Sequence, residues 1–139
     1  MQPKETVKEF SENNESSSVG RPSGALPFSE AAIAGDMLYI SGQVGSDPVS
    51  GELVNPSFAA EAGQVMKNIG RVLQRHKLQY SDLVNVTIYL TDMGNYQETN
   101  VVYSQYFTAA FPARVCIAVR ELPMKARIEI SAVARLASH

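Results

Sequence analysis

A single cysteine, Cys116, stands in a chain of 139 residues, so no disulfide can close within it and the fold must rest on a packed core. Beside that thiol there are only two histidines, His76 and His139, whereas a zinc site asks for about four close-spaced ligands. No metal is therefore expected. No stretch approaches the roughly 20 apolar residues of a membrane span. Charge of one sign is lacking too: Lys and Arg total 12 against 14 Asp and Glu, a net charge of -2 with a pI near 5.7, which gives no nucleic acid a basic stripe to bind. The glycines of GQVGSD fit neither the dinucleotide fingerprint nor the P-loop, both of which need a fixed spacing between strand and helix. What is present is 45% hydrophobic residues over a length suited to one domain, enough for a core without staples.

Residues 1–24 are polar, rich in Ser, Glu and Asn, and offer little apolar surface to offset the entropy of ordering. They read as a flexible tail, at least in part, followed by a single domain over 25–139. Glu5, Glu9, Glu12 and Glu15 argue against a mitochondrial presequence, and no apolar run suits a secretory signal, so a cytoplasmic, reducing setting is expected.

From Ala31 the pattern becomes regular. Gly35-Asp36 separates two short apolar runs as a hairpin turn does, and the loop DPVSGELVNP leads to a helix start at which Asn55 or Ser57 would cap. Phe58, Ala62, Val65, Ile69, Val72 and Leu73 then recur at helical spacing, with Glu61, Lys67, Arg71, Gln74 and Arg75 on other faces. LVNVTIYL alternates as a central strand. Tyr96, Asn100, Tyr103, Phe107 and Ala110 predict a second helix that Phe111-Pro112 ends. ARVCIAVR and RIEISAVA are the last two strands. The order ββαβαββ predicts a two-layer α+β domain, a mixed sheet with both helices on one face.

Alternation puts Arg114, Cys116 and Ala118 opposite Val115, Ile117 and Val119, and Glu129 opposite Ile128 and Ile130. We read the polar set as belonging to the uncovered sheet face, where Cys116, Ala118 and Val133 would favour association with further copies of the chain. Arg114 is either a two-pronged clamp for a small carboxylic acid or half of an internal salt bridge to Glu129. Glu129 is either a general acid or base or the neutraliser of Arg114. Cys116 alone suggests a small buried hydrophobe before a reactive thiol, and His76 is poorly placed to activate it.

The segment FPARVCIAVRELPMKARIEISAVA closely resembles the C-terminal signature of the Rid family, the reactive-intermediate enamine/imine deaminases also called the YjgF family. LPFSEAAIAGD, LYISGQVGSDPVSGELV and DLVNVTIYLTDMGNYQETNVVYSQYF look like its other blocks, in the same order, so the similarity spans residues 22–137. It implies a chorismate-mutase-like domain, a homotrimer with three clefts between neighbouring subunits, and no cofactor. Arg114, Glu129 and Cys116 would form the catalytic set, Arg114 holding the substrate carboxylate, Glu129 positioning water and Cys116 lining the cleft partly through its backbone. Phe28, Ser41, Gly42 and Asn100 would complete the substrate pocket. Phe28 departs from the family's usual tyrosine, so a ring remains and a hydroxyl is lost. The implied activity is that of a 2-iminobutanoate/2-iminopropanoate deaminase, a hydrolase releasing 2-oxo acids and ammonia from enamines and imines such as 2-aminoacrylate. The alternative is a non-catalytic regulator that binds small carboxylic acids in the same cleft. A ribonuclease activity finds least support, for want of a His pair and a basic surface.

Overall fold

The structure, a computed structural model, describes residues 7–10 and 26–136. Its strands are β1 (Val7–Phe10), β2 (Ala31–Ala34), β3 (Met37–Val44), β4 (Leu83–Leu90), β5 (Ala113–Ala118) and β6 (Ile128–Arg135), in the sheet order β1-β2-β3-β6-β4-β5. Two helices, α1 (Phe58–Arg75) and α2 (Tyr96–Ser104), complete a mixed α+β domain. The five expected strands and both helices occur in the expected order. β1 is a sixth, pairing parallel with β2 at the sheet edge, and it comes from the segment read as a tail. The rest of 1–24 lies outside the described residues.

Local chemistry accounts for the elements. Gly35 takes φ +61 at the first central position of the β2–β3 hairpin, where glycine meets no steric cost, and Ala34 pairs with Met37 across it. Ser57 caps α1, its side chain accepting from the Ala60 amide at 3.1 Å. All six apolar positions expected to form the α1 stripe are buried. Glu61, expected on another face, is buried completely. Its carboxylate is satisfied by the Arg127 amide and by Arg127 Nε, each at 2.7 Å, and that double bond lets a charge sit inside. Asn68 is buried likewise and donates to the carbonyls of Val44 and Ser46, both at 2.9 Å, fastening α1 to the end of β3.

α2 stops at Ser104, well short of Phe111-Pro112. Bonds from the amides of Gln105, Tyr106 and Phe107 to residues three earlier tighten its last turn, and the chain then bends so that Tyr106 and Phe107 pack on Tyr80. Tertiary packing of aromatics overrides the helical spacing there.

Sheet order fixes which face is covered. β3 and β4 both run antiparallel to β6, and β4 runs parallel to β5, so α1 and α2 each cross between parallel strands in the same direction. Crossovers of one hand that step the same way leave both helices on one face. Leu38, Ile40, Val86, Ile88, Leu90, Ile128 and Ile130 fill the layer beneath them. Among the described residues, no helix is long and apolar enough to cross a membrane.

Register corrects the assignment of faces. Arg114, Cys116 and Ala118 pair with the core residues Val86, Ile88 and Leu90, so they point toward the helix layer. Glu129 pairs with Tyr89, and Tyr89 with Ile117, on the uncovered face. The uncovered face thus carries apolar groups of its own, Val115 (52% exposed), Ile117 (44%) and Tyr39 (49%) with Val133, beside the polar Thr87, Ser131 and Glu129. Strict alternation separates two faces without saying which is covered, and here both carry apolar residues.

Candidate active site

β5 is an edge strand that α2, only nine residues long, covers incompletely, so Arg114 near the strand's start reaches the rim. Its Nη2 donates to Asn100 Oδ1 at 2.7 Å and lies 3.4 Å from Tyr96 Oη. The guanidinium carbon stands 5.0 Å from the Tyr103 ring centroid and 5.7 Å from that of Tyr96, within cation–π range. Tyr96, Asn100 and Tyr103 follow one stripe of α2 at spacings of four and three. Arg114 has no carboxylate partner among the described residues. It opens with Asn100, Tyr103, Ser104, Phe111 and Pro112 onto a cleft of about 330 Å³.

Burial raises the Tyr103 phenol to about 12 despite the opposing charge of Arg114, so it stays protonated. Its hydroxyl is buried with no hydrogen-bond partner among the described residues, and the ring serves Arg114 as a face. Cys116, two residues along β5 on the same side, is half-buried against the core. Burial pushes its thiol up, with Arg114 opposing, which disfavours the thiolate, and Cys116 is not among the residues that line the cleft.

A second cluster lies on the other face. A Cβ added at Gly42 would stand 2.5 Å from Glu129 Oε2, so the missing side chain is the space the carboxylate occupies. Ser41 ties this strand end to the preceding loop: its Oγ donates to Ser29 O at 2.6 Å and its amide to Glu30 O at 2.9 Å. Phe28, next along that loop, is exposed. The Glu129 carboxyl is raised by burial and has no hydrogen-bond or ionic partner among the described residues.

The predicted site residues therefore fall into two groups. Arg114, Cys116 and Asn100 are brought together on the helix side; Gly42 and Glu129 meet on the other, with Ser41 and Phe28 adjoining. An Arg114–Glu129 salt bridge within one chain is excluded, because the two side chains leave opposite faces of the sheet. Tyr96 and Tyr103 were read only as a helical stripe, and Ser104, Phe111 and Pro112 were not read as cleft residues. The signal available was Asn100, an amide amid the aromatics of that stripe. Among the described residues, no three His, Cys, Asp or Glu side chains gather closely enough to hold a metal ion.

Such a molecule is a small α+β domain with an arginine-floored cleft suited to an organic anion. Known proteins make the assignment narrower. The family described as Endoribonuclease L-PSP matches residues 19–136. Human 2-iminobutanoate/2-iminopropanoate deaminase is 42% identical over 118 residues, 84% of this chain and 86% of its own. Of the solved structures, yeast Mmf1 superposes with a TM-score of 0.78 at 32% identity, covering 84% of this chain and 92% of that one. The YjgF gene product of E. coli does so with 0.75 at 32% identity, covering 80% and 89%. The chain belongs to the Rid (YjgF) family.

Proposed function

We propose that this protein is a 2-iminobutanoate/2-iminopropanoate deaminase, and that it works as a homotrimer in which each cleft joins the Arg114 group of one subunit to the Glu129 group of its neighbour. The observation that carries the activity is Arg114 itself. It is a guanidinium fixed by Asn100, backed by an aromatic ring, lacking a carboxylate partner among the described residues and open to a cleft. That is the arrangement a carboxylate-bearing substrate needs. The shared cleft is supported by the separation of Arg114 from Glu129, which leaves each group without its counterpart in one chain, and by the apolar residues of the uncovered face.

In the reaction, Arg114 holds the substrate carboxylate and so orients the adjacent iminium carbon. Glu129 from the neighbouring subunit receives a proton from water as its oxygen bonds to that carbon, giving a carbinolamine. The proton then passes to nitrogen, the C–N bond breaks as the hydroxyl gives its own proton back to Glu129 and the carbonyl forms, and the departing ammonia takes that proton away as ammonium. One iminium and one water become one 2-oxo acid and one ammonium ion. The electrophile is already reactive, so orientation and charge complementarity suffice. A carboxyl raised by burial is suited to this exchange, because its proton affinity moves toward working pH. The same group favours a hydrolase over a passive acid-binding regulator, which would need only the Arg114 side. The word endoribonuclease belongs to the matching family's description; here His76 Nδ1 is engaged with Val72 O at the end of α1, away from the cleft residues.

The test generates 2-aminoacrylate and 2-iminobutanoate in situ from serine and threonine with a pyridoxal-phosphate dehydratase and follows oxo-acid release. The protein accelerates release, and Arg114→Ala returns the rate to the uncatalysed background while keeping its thermal midpoint. Full activity in Arg114→Ala overturns the reading.

A further inference from the structure

Resting on the deaminase reading, we propose that Tyr96 is a further substrate-binding residue, its phenol donating a hydrogen bond to the carboxylate oxygen that Arg114 holds. A guanidinium grips a carboxylate at two points through Nε with Nη2 or through Nη1 with Nη2, so either grip uses Nη2. Asn100 Oδ1 takes one of the two Nη2 protons at 2.7 Å. The other is the proton the ligand needs, and the second acceptor that Nη2 meets among the described residues is Tyr96 Oη, at 3.4 Å. That distance is too long for a strong bond, so an arriving carboxylate oxygen at about 2.8 Å displaces the phenol as acceptor at little cost.

The displaced phenol then lies beside the oxygen that replaced it, with its own O–H to give. Phenols donate as readily as they accept. Tyr96 is 39% exposed and its ring flanks the guanidinium, so the hydroxyl turns without unpacking the core. Tyr103 cannot take this part: it is 4% exposed, and its hydroxyl is buried without a partner among the described residues. One tyrosine thus backs the arginine with its face, and the other completes the anion pocket with its hydroxyl. The carboxylate receives three donors, two from Arg114 and one from Tyr96.

Tyr96→Phe removes only the hydroxyl and keeps the ring against Arg114. In the full chain it raises the Kd for 2-oxobutanoate, read by calorimetric titration, about ten- to hundredfold, the scale of one hydrogen bond to a charged group. The KM for 2-iminobutanoate rises in step, the loss falling on KM rather than kcat, and the thermal midpoint stays that of the unsubstituted protein. A Tyr96→Phe protein with unaltered Kd and KM overturns the inference; if Arg114→Ala loses binding in the same titration, the deaminase reading stands without it. Failure of the unsubstituted protein to bind 2-oxobutanoate, or retained binding in Arg114→Ala, overturns both.

Discussion

Glu129 and Gly42 explain each other. The carboxylate occupies the place where a side chain at position 42 would begin, so the glycine is required by close approach and its neighbour is held half-buried with no counter-ion among the described residues of its own chain. Burial without a partner costs stability, and the cost has a pH signature. Burial raises the Glu129 carboxyl above its ordinary 4.5, so the folded chain holds that proton more tightly than the unfolded chain does. The contribution is fully present below 4.5 and is lost as pH rises through the raised folded value. Glu129→Gln removes the dependence. Its thermal midpoint is expected to exceed that of the unsubstituted protein at about pH 7 and to match it at about pH 3.5, while turnover falls to background. Melts at the two pH values check this, and an unchanged difference between them removes the account of Glu129 as a strained functional carboxyl.

At the scale of elements, what sequence made legible was whatever chemistry acts locally. The cap at Ser57, the apolar stripe of α1 and the alternation of β4 depend on near neighbours, and each lies where spacing puts it. What stayed hidden depends on distant partners. Glu61 looks like a surface charge until Arg127, sixty-six residues away, arrives to satisfy it. α2 ends at Ser104 because Tyr106 and Phe107 are claimed by Tyr80. The residue types of the site could be named, yet their distribution between two faces could not, because alternation has no sign. Asn68 shows how an element's anchoring reaches the site: it ties α1 to the carbonyls of Val44 and Ser46, just beyond Gly42 in the same strand end. Asn68→Ala strands two carbonyls and is expected to cost about 2 kcal/mol in denaturant unfolding. Loss of activity should accompany it at temperatures where the chain is still folded, since the Gly42 end of β3 loosens first.

At the scale of the molecule, one sheet presents two incomplete chemistries back to back. Among the described residues the Arg114 side has a guanidinium and no carboxylate beside it, and the Glu129 side has a carboxyl and no cation beside it. Apolar residues of the uncovered face, Val115, Ile117, Tyr39 and Val133, surround the second and provide area for another copy. If each working cleft takes Arg114 from one subunit and Glu129 from the next, two dead variants can repair one another. Arg114→Ala and Glu129→Gln homo-oligomers are each inactive. When the two are co-expressed in equal amounts and assemble at random, a given cleft has a one-half chance of an intact arginine donor and the same chance of an intact glutamate donor. About one quarter of wild-type activity is therefore expected, whatever the number of subunits in the ring. A cleft built within one chain would give none, because no single subunit then carries both groups. Activity measured on the whole co-expressed pool, with mixing confirmed by a different tag on each variant, decides between the two architectures, and a mixture as dead as its parents rules out the shared cleft.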